Sequence, residues 1–125
     1  MAMLAIKDIY RVVTALAPSA RTTTANGTTV DLGNANANMV TIHPGTITDG
    51  THTPKLQDSP DGSTWTDVDA SLLVGSFTAI ASSTIQKVSY IGAQRYIRLV
   101  VTVTGSPATG GVYGSTCVFA PRKQP

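Results

Sequence analysis

The chain has 125 residues, enough for one domain with a single modest core, and its net charge of +2 comes from basic residues scattered singly along it. That charge gives no electrostatic footprint for nucleic acid, and no stretch reaches the roughly 18 uninterrupted apolar residues of a membrane span. All seven acidic residues are Asp, and Glu is absent. Glu and Lys normally fill exposed helix faces, so their scarcity argues against a helical protein, while abundant Thr, Val and Gly suit strands and tight turns. One cysteine, Cys117, excludes an intrachain disulfide and a cysteine-built zinc site.

The N-terminal segment "MAMLAIKDIYRVVTALAPSA" ends in small residues as a leader would. Lys7, Asp8 and Arg11 interrupt its apolar run, which predicts no cleaved signal. Residues 3–17 fit three forms. Ile6, Ile9, Val13 and Leu16 make a helical stripe, "YRVVTAL" reads as a strand, and the whole is equally an extended arm packing on a neighbouring subunit. Pro18 is expected to end it. This gives residues 1–18 as an N-terminal arm, helix or strand, 19–119 as the folded domain and 120–125 as a polar tail.

From residue 20 onward the punctuation is regular. "RTTTANGTTVDL" predicts two short strands around an Asn26-Gly27 hairpin turn. "NMVTIHPGTITDGTHTPKLQDS" predicts a second hairpin turning at Asp49-Gly50, with Val40 and Ile42 on one face and Thr41 and His43 on the other. "SLLVGSFTAIASST" (71–84) lacks a clear period and is either a crossing between sheets or an edge strand. "TIQKVSYIG" and "RYIRLVVTVTG" are strands. In the latter, Ile97, Leu99, Val101 and Val103 point one way, while Tyr96, Arg98, Thr102 and Thr104 mostly point the other. "GSPATGG" turns into a last strand, "VYGSTCVFA". The sum is an all-β antiparallel sandwich or jelly roll of about seven to nine strands. Its expected core contains Val40, Ile42, Leu56, Ile97, Leu99, Val101 and Val103.

The stretch "LQDSPDGSTWTDV" (56–68) is the densest in polar groups. Asp58, Asp61, Asp67 and Asp69 are hard oxygen ligands, but their spacing does not match a calcium loop and no Glu closes one. Ser59, Asp61, Thr64 and Trp65 resemble the Asp-box of sialidase propellers with one residue missing. A single copy cannot build a propeller. Trp65 is a sugar-stacking platform on one reading and a core or inter-sheet plug on another. The favoured reading is a hairpin turn: Pro60 presets φ, Asp61 follows, Gly62 takes the left-handed position, and Ser59 or Asp58 bonds back to the turn amides. His43 and His52 lie about four residues out of register across Asp49-Gly50, a poor metal pair. Cys117 reads as a small buried residue, and Arg95 and Arg98 as the solvated edge of a strand or a subunit contact. No nucleophile–base pair or ligand cluster is evident, so no catalytic, cofactor or metal residue is assigned and no enzyme activity is expected.

The string "ITDGTHTPKLQDSPDGSTWTDV … YIGAQRYIRLVVTVTG … GGVYG", within residues 20–118, resembles small virion structural proteins of tailed bacteriophages from the block of head genes. The resemblance is one of phrase and pattern, so it carries over no functional residue. It implies a β-sandwich that decorates or cements the outer capsid surface. Its partners would be the major capsid protein and further copies of itself, as a dimer or trimer, with no nucleic acid or membrane bound. A tail or baseplate protein on a similar sandwich is one alternative. A carbohydrate-binding module is the other, although only seven aromatic residues are present and Tyr90, Tyr96, Tyr113 and Phe119 fall inside predicted strands.

Overall fold

The computed structural model describes residues 3 and 5–121. A single 3-10 turn, Ile6–Asp8, precedes ten strands: β1 (Arg11–Arg21), β2 (Ala25–Asn26), β3 (Val30–Asp31), β4 (Asn38–Ile47), β5 (Thr51–Ser59), β6 (Thr66–Asp67), β7 (Leu73–Val74), β8 (Gln86–Tyr90), β9 (Tyr96–Thr104) and β10 (Gly111–Phe119). Four of the ten are two-residue pairings, which is why turn spacing alone undercounts them.

The strands form two antiparallel sheets. The first has the order β1-β10-β4-β8-β7; the second runs β2-β9-β5-β6, with β3 also paired to β9. Here β2 and β3 are two halves of one interrupted strand, and β7 is a short addition at an edge. The remaining eight strands follow jelly-roll order, four to a sheet, with consecutive β5 and β6 side by side in the second. The inner faces of both sheets meet in one core that includes Val40, Ile42, Leu56, Ile97, Leu99, Val101, Tyr113 and Cys117. Val103 packs against this core half-buried. The period of two in β4, β5 and β9 thus sorts these side chains as the alternation predicts.

Both expected two-residue hairpins are absent, for one reason. β4 is an interior strand that already pairs β10 on one side and β8 on the other, so β5 has no edge of β4 to join. The chain instead crosses at Asp49-Gly50 into the opposite sheet, where β5 pairs β9 from Thr51↔Thr104 to Ser59↔Tyr96. At Asn26-Gly27 the flanking segments both pair β9 (Ala25↔Val101, Val30↔Ile97) and not each other. Gly27 has no positive φ; it is small because the backbone is crowded. A Cβ there would lie 2.3 Å from the Ala15 carbonyl oxygen and 2.6 Å from that of Leu99.

The N-terminal segment divides at residue 11. Beyond it the strand form holds: β1 pairs β10 from Arg11↔Phe119 to Arg21↔Gly111 and places Ala15 and Leu16 in the core. The domain boundary expected near residue 18 therefore falls inside a strand. Pro18 does not end that strand, because β1 is an edge and Pro18 falls between Leu16 and Ser19, where the register gives it no ladder partner. The register does slip between Thr14 and Leu16 and again between Leu16 and Ser19. Of the two forms expected for 71–84 the edge strand is found, as β7; the stretch after it returns to β8 in the same sheet and buries Ile80 on the way.

Leu99 is fully buried on the central strand of the second sheet. Leu99→Ala is expected to cost roughly 2–5 kcal/mol in a denaturant titration. Removing residues 1–17 takes away Ala15, Leu16 and more than half of β1, and should abolish cooperative melting. Removing residues 1–10 should leave the melting transition in place.

Candidate functional site

The Pro60-Asp61-Gly62 turn is an internally bonded staple. β5 and β6 pair across it, Gln57 with Asp67 and Asp58 with Thr66. Gly62 takes φ +79°. Ser59 Oγ accepts from the amides of Asp61 and Gly62, and Asp61 Oδ1 accepts from those of Ser63 and Thr64, both at 2.9 Å. These amides hold the Asp61 carboxyl below its usual range. The carboxylates proposed as calcium ligands are dispersed. Asp58 accepts from the Tyr90 hydroxyl at 2.7 Å, Asp67 from Gln57 and Lys55, and Asp69 from the Ser71 amide. Among the described residues no three His, Cys, Asp or Glu side chains gather as a metal site would require.

Trp65 is neither a core plug nor a bare platform. It is half-buried beside the outward-facing Arg98, whose guanidinium carbon lies 4.5 Å from the ring centroid. Arg98 Nε donates to Gln57 Oε1, and Gln57 Nε2 donates to Asp67 Oδ1, both at 2.8 Å. This row of mutually satisfied side chains braces the outer face of the second sheet. Arg95 likewise forks onto both oxygens of Asp31 at 2.8 and 2.9 Å, which lowers the Asp31 pKa and raises that of the arginine.

The two histidines belong to different sheets. His43 is exposed on β4, whereas His52 is fully buried on β5. The Asp49 carbonyl oxygen can only accept, so His52 Nε2, 3.0 Å away, carries the ring proton. With the proton on Nε2, the ring accepts at Nδ1 from the Tyr113 hydroxyl, 2.9 Å away. The Asp49 carboxylate meanwhile accepts from the amides of Ala108, Thr109 and Gly110. Cys117 is fully enclosed, and burial pushes its thiol up to about 11, so it is not a nucleophile at neutral pH.

A concavity of about 570 Å³ is an open cleft between residues 32–38 and 89–94. Tyr90 forms its base; burial and the Asp58 carboxylate push this phenol up to about 12. The cleft's lining contains no charged residue, and the Asn38 side chain there is already spent on both backbone groups of Tyr90.

The features that remain unspent are apolar. Ile6 and Val12 are each 63% exposed, with Ile9 and Tyr10 also bare between them. They lie on the turn that leads into β1 and on the first residues of β1 itself. Among the described residues β1 forms no ladder beyond β10, so the edge is free of them from Arg11 to Thr14. Farther along, the Ala15 carbonyl accepts from the Thr28 amide and the register slips close the edge. Of the other apolar residues singled out from sequence in this segment, Leu16 joins the core and Val13 packs on it. A second bare group, Leu72, Val74, Ile85 and Ile91, borders β7 and β8 and was not singled out from sequence. Its only sequence signal is apolar residues at strand ends, which ordinary core residues share. No family model matches the chain, and no curated protein matches it.

Asp49 sets the expected response to acid. Hydrogen bonds from Gly110, Ala108 and Thr109 lower its folded pKa below the unfolded value near 4. The stability it contributes is therefore complete above about pH 4 and is lost as pH falls through the folded pKa. Asp31, Asp61 and Asp67 are shifted in the same direction. Asp49→Ala should lower the melting temperature at pH 7 and flatten its decline on acidification, as measured by thermal melts from pH 7 to pH 2.

Proposed function

We propose that this protein is a structural component of a tailed-phage virion, bound as repeated copies to the outside of the assembled head, where it contacts the major capsid protein and neighbouring subunits. One observation carries the reading: an apolar segment, Ile6 to Val12, stands bare beside a free strand edge on a domain whose polar clusters are otherwise satisfied internally. The phrase-level resemblance in residues 20–118 supplies the head, and the jelly roll is a compatible architecture, common in shell and lectin domains. Fold alone does not carry function, so the surface has the greater weight.

The energetic logic is that of a cement. A protein that binds the assembled lattice in preference to free subunits stabilises the lattice by mass action. Each of Ile6, Ile9 and Val12 would contribute roughly 1.5–3 kcal/mol if fully covered, partly offset by the ordering of the segment. Multiple copies bound together would add avidity.

The test is to mix full-length protein and a form lacking residues 1–10 with heads that lack this component. Full-length protein should occupy the heads and raise their melting temperature. The shortened form, which keeps all of β1, should remain folded and leave heads largely bare. Full-length protein that ignores heads but copurifies with tails would replace this reading with the tail alternative. Binding to a glycan array, abolished by Trp65→Ala, would replace it with the carbohydrate-binding module.

A further inference from the structure

The first sheet has two free edges, and apolar side chains are bare at both. At one edge stand Ile6, Ile9 and Val12. At the other, Val74 pairs with Ser89 and the Ile91 amide donates to the Leu72 carbonyl at 2.8 Å, which brings Leu72, Val74 and Ile91 around one short strand. Val74 is 59% and Ile91 58% exposed. β10, β4 and β8 lie between the edges. At about 4.8 Å per strand spacing they stand roughly 19 Å apart, too far for one patch to cover the other within a molecule.

Charge selects how copies would meet. Arg11 is exposed at the β1 edge, and Asp69 is exposed beside Leu72, at the start of the turn that leads into β7. Neither forms an ion pair with any described residue. Lys7 and Asp8, on the N-terminal turn, pair with each other at 2.7 Å. Lys87 sits level with Thr41 on β8, toward the Ile85 end and away from Asp69. A two-fold contact through either edge alone would set Arg11 near Arg11 or Asp69 near Asp69, and one using both edges at once would need a single partner to reach opposite sides of the sheet. A head-to-tail contact sets Arg11 of one copy near Asp69 of the next.

We propose that copies of this chain associate head to tail, the Ile6–Val12 segment of one covering the Leu72–Val74–Ile91 edge of the next. Such a contact uses a different patch on each partner and closes into a ring when the rotation permits. The proposal rests on the preceding section only in treating the N-terminal segment as a docking segment. It names the neighbour as a second copy.

The test uses two single-edge variants, Ile9→Asp and Val74→Asp. Both side chains are exposed, so each variant should melt like the wild type. In sedimentation velocity at micromolar concentration the wild type should be oligomeric and each variant alone monomeric. Mixed one to one, the variants should give a dimer and nothing larger, because each supplies the edge that the other lacks. Arg11→Asp and Asp69→Arg should each weaken association roughly two- to fivefold, and together restore it. A monomeric wild type overturns the proposal, as do variants that stay oligomeric. A mixture that stays monomeric while the wild type is a dimer overturns it in favour of a two-fold contact. Head binding by a monomeric wild type would sink this proposal and leave the virion reading standing; a ring without head affinity would do the reverse.

Discussion

Asp49 ties together the two corners on which the sandwich closes. β4 leaves the first sheet at this residue, and β9 returns to the first sheet through residues 105–110. The Asp49 carboxylate takes the amides of Ala108, Thr109 and Gly110, and the Thr48 amide donates to the Gly110 carbonyl at 2.9 Å. The Asp49 carbonyl also fixes the proton of buried His52, which fixes the Tyr113 hydroxyl. A buried imidazole is costly unless both nitrogens are partnered. The Asp49 contact is local to one corner, but the Tyr113 contact exists only when the two sheets are docked, so closing the sheets completes the partnering of this ring.

The edges follow from the same closure. Two four-stranded layers stacked face to face leave four free strands, and unprotected edges invite pairing with other chains. The chain protects the far half of β1 with Pro18, two register slips and the Thr28 amide on Ala15. It truncates β7 to two residues. What stays open, Arg11 to Thr14 and the flank of β7, is also where apolar side chains are bare. Several polar clusters elsewhere are spent internally, as in the Trp65–Arg98–Gln57–Asp67 row and the Asp31–Arg95 fork.

Sequence by itself determined the all-β class, the alternation that puts Val40, Ile42, Leu56, Ile97, Leu99 and Val101 inside, and the staple at Pro60-Asp61-Gly62. Each of these is a short-range property: a period of two, a composition without Glu, or a turn whose donors and acceptors lie within a few residues. Tertiary structure alone decided which strands pair. Asp49-Gly50 and Asn26-Gly27 carry strong local hairpin signals, yet β4 finds better partners in β10 and β8, and β9 takes both β2 and β3. It also decided that Trp65 stacks under Arg98, 33 positions away in the chain, and that Asp49 caps a loop about 60 residues distant. Local propensity ranks the conformations of a few residues. The choice of neighbour is made by burying both sheet faces at once, and that requirement is written across the whole chain rather than in any part of it.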